Sequence, residues 1–321
     1  MQQHSNTSLQ RADDFIMSPK VDFAFKLIFG DEKNKDVLMD FLSKILRVPS
    51  GEFEELELVN VELAKEFLED KKGILDVRVK TKDKKQIDIE IQVIPHKYMP
   101  ERSLFYWSKM YTGQIKSGST YAQLKKCITI NVVDFKCIPI NKVHTSFHIL
   151  EDKTGHKLTD MLEIHFLELK KLEEDNSEDE EDPARDWLEF LNAHSKGEME
   201  MIAEKDDNIK KAYEVLQVAS MDEAKRLAYE AREAELMDQR TREEDARAQG
   251  RELGIQQGIR QGIQQGIQQG IQQGIQQGIQ QGIQQAKLES AKAFLDIADD
   301  ETIANKLGLS IETVRELRGI L

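Results

Sequence analysis

Two short segments of this chain carry oxygen-bearing side chains at a spacing that could do chemistry. In ILDVRVK (74–80), Leu75, Val77 and Val79 fall on one side of a strand, while Asp76, Arg78 and Lys80 fall on the other. In QIDIEIQV (86–93), Ile87, Ile89, Ile91 and Val93 make an apolar side, and Asp88, Glu90 and Gln92 share the polar one. KDKK reads as the turn between them. Paired as a hairpin, Asp76 shares a face with Glu90 only if the loop has three or five residues. One such register sets Asp76 against Glu90, the other against Gln92. Either gathers two carboxylates and an amide oxygen, hard ligands of the kind Mg²⁺ prefers. A metal held there would lower the pKa of a bound water and offset charge on a scissile phosphate. Alternation alone also describes an ordinary half-buried strand with a solvated polar side, so the order of the residues has to carry the rest.

Asp76 followed by Glu90-Ile91-Gln92 resembles the D…(D/E)xK pattern of the PD-(D/E)XK nuclease superfamily. The surrounding text is similar to the Rpn family of recombination-promoting nucleases, also called PD-(D/E)XK family transposases. The likeness runs through SPKVDFAFKLIFG (18–30), KGILDVRVK (72–80), IDIEIQV (87–93), residues 101–135, LEIHFLELKKL (162–172) and the glycine-rich repeat. It implies an α/β, restriction-endonuclease-like core with a mixed sheet flanked by helices. It also implies that Asp76 and Glu90 bind a divalent metal, Mg²⁺ with Mn²⁺ or Ca²⁺ as substitutes. Gln92 stands where the superfamily has lysine. An amide can orient a water but brings no positive charge to the transition state. Arg102 and Lys109, on the helix that follows, are the candidates to supply it or to contact phosphate, although helix-surface cations would look the same. The resemblance further suggests that Asp22, one turn before Lys26, approaches the site from the first helix; an acid favoured by the helix N-terminus is the plainer account. Asp88 is a second carboxylate on the same face. Tyr106, Trp107 and Tyr111 read as packing. His144, His148, His156 and His165 read as scattered, with no metal role.

The elements that must position these groups are legible in outline. Ser18 and Pro19 open a helix over VDFAFKLIFG, and a second runs from Asp36 to Leu46, before Pro49. Pro100 opens a helix expected to reach Ser117. CITINVVDF (127–135), KVHTSFHIL (142–150) and EIHFLEL (163–169) read as strands. The expected organisation is a tail at 1–16, the nuclease-like domain at 17–172, an acidic linker at 173–183, helices over 184–249, a GIQQ repeat spacer at 250–285 and a helix-turn-helix-like module at 286–321.

Charge divides the same way. The whole chain carries −14, yet residues 1–172 hold 27 Lys+Arg against 26 Asp+Glu. The acidic balance therefore belongs to the C-terminal part and does not count against DNA binding by the N-terminal one. Residues 109–142 are locally basic. Cys127 and Cys137 read as buried thiols of a reduced compartment. No leader-like or membrane-spanning run is found, which suggests a cytoplasmic protein.

From Gly250 to Gly282 a glycine recurs at every fourth position, with Ile after each from Gly254 onward. Glycine costs roughly 1 kcal/mol per site against alanine in a helix, so the segment is either a helix with a closely packed partner or a flexible linker. In the tail, Gly308 and Ser310 sit where a turn and a cap between two helices would need them. The reading is a metal-dependent DNA endonuclease of low sequence specificity, tied to recombination or mobile-element activity, with self-association through the repeat and the C-terminal helices. The alternative is a catalytically silent DNA-binding or oligomeric adaptor that keeps the fold.

Overall fold

In the computed structural model the described residues are 15–59, 77–174 and 182–319. They fall into two compact units divided at Arg240–Thr241. Asp76 and most of the acidic segment lie outside the described residues.

Helix α1 (Asp22–Phe29) buries Ala24, Phe25, Ile28 and Phe29, the recurrence of one helical face. It stops at Gly30, where a Cβ would stand 2.7 Å from the Lys26 carbonyl oxygen, so only glycine fits this close turn. Helix α2 (Lys35–Leu46) buries Val37, Leu38, Phe41, Leu42 and Ile45 and ends on Arg47 in the left-handed region at φ 54°.

The sheet comprises β1 (Glu57–Leu58), β2 (Val77–Lys80), β3 (Gln86–Gln92), β4 (Cys127–Val133), β5 (His144–Phe147) and β6 (Leu162–Glu168), in the order β1-β2-β3-β4-β6-β5. β2 and β3 form the hairpin expected, with Val77 opposite Ile89 and Lys80 opposite Gln86 across a loop of residues 81–85. That is the five-residue loop that parity requires. β3, β4 and β6 run parallel, with antiparallel strands on both sides. A parallel neighbour needs a crossover, and helix α3 (Met99–Thr112) supplies it between β3 and β4. The helix ends earlier than Ser117 because Gly113 closes it, its N–H donating to the Lys109 carbonyl.

The crossover corrects one expectation. β3 has no solvated side: its Asp88 and Glu90 are buried along with its isoleucines. Central parallel strands are covered on both faces, and here both layers hold polar groups. The isoleucine side of β3 and β4 packs with α1, α2 and the helices α4 (Arg185–Asn192), α5 (Lys196–Ala203) and α6 (Asp207–Met221) around Phe25, Phe29, Phe41 and Trp187. Phe15 and Ile16 also pack against this core. A smaller core on the other side joins Met99 and Trp107 of α3 to Val133, Phe135, Ile164 and Phe166.

Helix α7 (Glu223–Phe294) contains the whole glycine-spaced repeat, so the repeat is helical. Its isoleucines from Ile255 to Ile283 are 53–59% exposed, and a Cβ added at any of the nine repeat glycines would meet nothing within 4 Å. Two short helices follow, α8 (Asp300–Leu307) and α9 (Ile311–Gly319), around a core of Ala291, Leu295, Ile303, Ala304 and Val314. Gly308 at φ 61° ends α8, and the Thr313 N–H donates to Ser310 Oγ at 3.1 Å, the turn and cap expected there. Among the described residues no helix is long and apolar enough to cross a membrane.

Trp187 is fully buried against Phe29, Phe41 and Phe190, and its Nε1–H donates to Asp40 Oδ2 at 2.8 Å. Trp187→Ala leaves a cavity and an abandoned acceptor. It is expected to cost about 3–5 kcal/mol in urea unfolding. A loss below about 1 kcal/mol would show that the helical layer does not rely on this ring.

Candidate active site

The register fixes which side chains meet. Arg78 lies opposite Asp88, Asp88 beside Thr129, and Glu90 beside Asn131, so these groups share one face of three adjacent strands. Helix α3 lies over that face. Asn131 Nδ2 donates to Ser103 Oγ on α3 at 2.8 Å and to the His165 carbonyl at 2.9 Å. Arg102 Nε stands 3.6 Å from Glu90 Oε2, and its guanidinium lies 5.1 Å over the Tyr106 ring. Asp88 is 1% and Glu90 3% exposed. Carboxylates this deep are tolerated only beside cations or donors. Arg102 is such a cation for Glu90. Burial pushes the Tyr106 hydroxyl up, and the nearby charges of Glu90 and Asp88 push the same way against Arg102.

The donor set suits a hard cation. Beside the two carboxylates, Thr129 Oγ1 and Asn131 Oδ1 are buried oxygens with no hydrogen-bond partner. The possible ligands on this face are oxygens, with no thiol or imidazole among them, and so fit a hard divalent cation better than a thiolate- or imidazole-seeking metal. Arg102 adds a positive charge beside Glu90.

The sequence-predicted residues divide. Glu90 and Arg102 meet on the α3 side, and Asp88 and Gln92 fall on the same face of β3 by strand alternation. Gln92 donates from Nε2 to the Ile94 carbonyl at 3.1 Å. Asp22 instead grips Arg232 of α7, at 2.8 and 3.0 Å, which ties the first helix to the seventh. Lys109 lies 5.4 Å over the Phe105 ring. Asp76 precedes Val77 and lies outside the described residues. Trp107 and Tyr111 are packing groups, as expected: they stack at 4.8 Å, and Trp107 Nε1–H donates to the Cys127 carbonyl. Burial pushes the Cys127 thiol up to about 11 and that of Cys137 to about 12, which favours the protonated thiol over the thiolate at neutral pH. Sequence reasoning missed Ser103, Thr129 and Asn131. Thr129 and Asn131 could have been found, because they alternate inside an otherwise apolar strand.

These parts assemble on a framework whose family model, that of the PD-(D/E)XK nuclease family transposases, matches residues 19–246. The chain belongs to that family. No curated protein and no solved structure matches it. The match takes in both hairpin strands and α3, and the membership supports a nuclease or transposase-related function.

The histidines are not scattered. On the opposite side of the sheet His144 Nε2 meets His165 Nδ1 at 2.8 Å, and His165 Nε2 meets Glu163 Oε1 at 2.8 Å. His148 Nε2 stands 3.6 Å from Glu163 Oε2. Ligand-type atoms of His148, Asp160 and Glu163 lie within 4.8 Å of one another beside a cavity of about 220 Å³. Lys126 already neutralises them, 2.5 Å from Glu163 and 3.1 Å from Asp160. Strand pairing of β5 with β6 brought these residues together.

Burial lowers the pKa of His165 against the pull of Glu163. His144 beside Asp182 holds that carboxyl down to about 2. Both folded values lie below the unfolded ones, so both groups add stability at high pH and withdraw it as pH falls. Tm is expected to drop as pH descends from about 6.5, where the unfolded chain's His165 takes up a proton that the folded one resists, and again between about 4 and 2, where the unfolded chain's Asp182 protonates before the folded one. His165→Gln should flatten the first decline and leave the second. A wild-type Tm that stays level between about pH 7 and 5 would contradict this account of the buried imidazole.

Proposed function

We propose that this chain is a metal-dependent DNA endonuclease whose site is the polar layer between β3 and α3. The supporting observation is the burial of Glu90 and Asp88 beside Arg102, in a family of nucleases and transposases. Asp76, the residue before Val77, is the proposed second metal-binding carboxylate with Glu90. When bound, Mg²⁺ would supply an activated water and charge neutralisation at the phosphate. Gln92, with its amide nitrogen engaged by Ile94, offers a carbonyl oxygen to orient that water. Arg102 contributes the positive charge that Gln92 lacks. Lys109, Lys116, Lys125 and Lys136 give the surrounding surface its affinity for the backbone, which favours low sequence specificity and fits a role in recombination or mobile-element activity.

Supercoiled plasmid with Mg²⁺ tests the reading. The wild type should nick it, and Glu90→Gln, Asp76→Ala and Arg102→Ala should each lose on the order of 100-fold in rate. Equal nicking by wild type and Glu90→Gln would end it. The adaptor reading rests on Gln92 and on the existing Arg102–Glu90 pair. Mg²⁺ or Mn²⁺ titration that shows no heat dependent on Glu90 would favour it.

The helix-turn-helix-like pair α8–α9 is better suited to docking than to DNA. Arg318 is spent on the Leu295 and Ala298 carbonyls and on Asp300, and Arg315 lies 3.9 Å from Asp300. Self-association through the exposed isoleucines of α7 completes the proposal. Sedimentation velocity should show an oligomer that Ile→Gln changes at Ile263, Ile267, Ile271 and Ile275 dissociate. A monomeric wild type at all concentrations would refute it.

A further inference from the structure

The outward side of α3 is as unusual as its inward side. Tyr98 immediately precedes α3 as its N-cap residue, and Phe105 lies within the helix, seven residues further along. They are 55% and 53% exposed, where aromatic rings normally seek cover. Each has an ammonium beside it: Lys97 lies 5.2 Å from the Tyr98 centroid and Lys109 5.4 Å from that of Phe105. The connection after α3 adds Tyr121, 82% exposed, between Lys116 and Lys125. Residues 96–126 hold six Lys+Arg and one acid, Glu101.

Exposed rings interleaved with cations are the chemistry of single-stranded nucleic acid recognition. The rings stack on unpaired bases and the cations follow the phosphates. A duplex keeps its base faces stacked inside, so it would use the lysines and leave the rings idle. The same helix turns Arg102, Ser103 and Tyr106 inward onto Glu90 and Asn131, so a strand lying along its outer side adjoins the candidate active site.

We infer that Tyr98 and Phe105, with Lys97 and Lys109, form a stacking platform for a single-stranded DNA segment next to the cleavage site. The inference rests on the nuclease reading for its purpose but not for its measurement. Fluorescence anisotropy in EDTA would compare a labelled oligothymidylate of roughly 20 nucleotides with a duplex of equal length. The wild type should hold the single strand about tenfold more tightly, and Tyr98→Ala and Phe105→Ala should each weaken it about tenfold with unchanged Tm. Phe105→Trp should retain affinity. Equal binding of duplex, or alanine variants that bind like wild type, would overturn the platform. So would alanine variants that dissociate an oligomer in sedimentation while holding the single strand undiminished, since the rings would then serve a protein contact. Because no metal is present, binding without cleavage in a parallel Mg²⁺ assay keeps the platform and discards the nuclease. Plasmid cleavage without single-strand preference does the reverse.

Discussion

The burial of Asp88 and Glu90 between sheet and helix is the constraint on which the rest of the nuclease-like unit turns. Two carboxylates taken out of water on one strand face would each cost several kcal/mol if nothing compensated them. Arg102 answers Glu90 from above, and Asn131 and Ser103 bind helix to sheet beside it. The parallel pairing of β3 with β4 makes this arrangement necessary. A parallel neighbour demands a crossover, and the crossover helix has to lie on one face of the sheet. Here it lies on the acidic face. Topology therefore encloses the chemical groups, and electrostatics then decides which residue α3 must bring to them.

The same logic explains the opposite face. Glu163 and His165 lie on the isoleucine side of the sheet, which the core helices cover. Each polar group there is tied to another: Lys126 to Glu163, Glu163 to His165, His165 to His144, and His144 toward Asp182. A chain of this kind is stable only when every link is made, because an interrupted link leaves a buried acceptor or an unsolvated charge. It has the donors of a metal site and the cation of a structural one. With Lys126 in contact with both carboxylates, the structural role is the one the geometry satisfies.

Much of this was legible in the sequence, and the parts that were not share a physical reason. Alternation in IDIEIQ identified the strand and its faces, and parity identified the class of hairpin loop. Nothing in alternation distinguishes a polar side that faces water from one that faces a helix, so the enclosure of Glu90 was not visible. The gathering of His144, His148 and His165 depended on antiparallel pairing between β5 and β6, a long-range contact with no local signature. Asp22 was a candidate site residue only through the family resemblance, and its position opening α1 offered the plainer account. Its partner Arg232 lies far along the chain, in a helix whose composition announces only helicity. The caps were easier: Gly308 and Ser310 act locally, and local chemistry is what a sequence displays most directly.

The repeat presents the reverse case, a pattern plain in the sequence whose consequence is geometric. Each four-residue unit advances about 400° on an α-helix, so the isoleucine stripe shifts about 40° per unit. The eight isoleucines from Ile255 to Ile283 carry it about 280° around the helix over roughly 42 Å. A straight neighbour lying alongside could thus cover only the few isoleucines facing it, leaving the others in water. Full burial requires either a partner wound with right-handed sense or several neighbours, each taking a different arc of the stripe. A heptad seam selects one partner by staying on one side. A tetrad stripe, through its rapid precession, offers contact around most of the helix, and added units extend the length of the spacer without altering the kind of surface it presents.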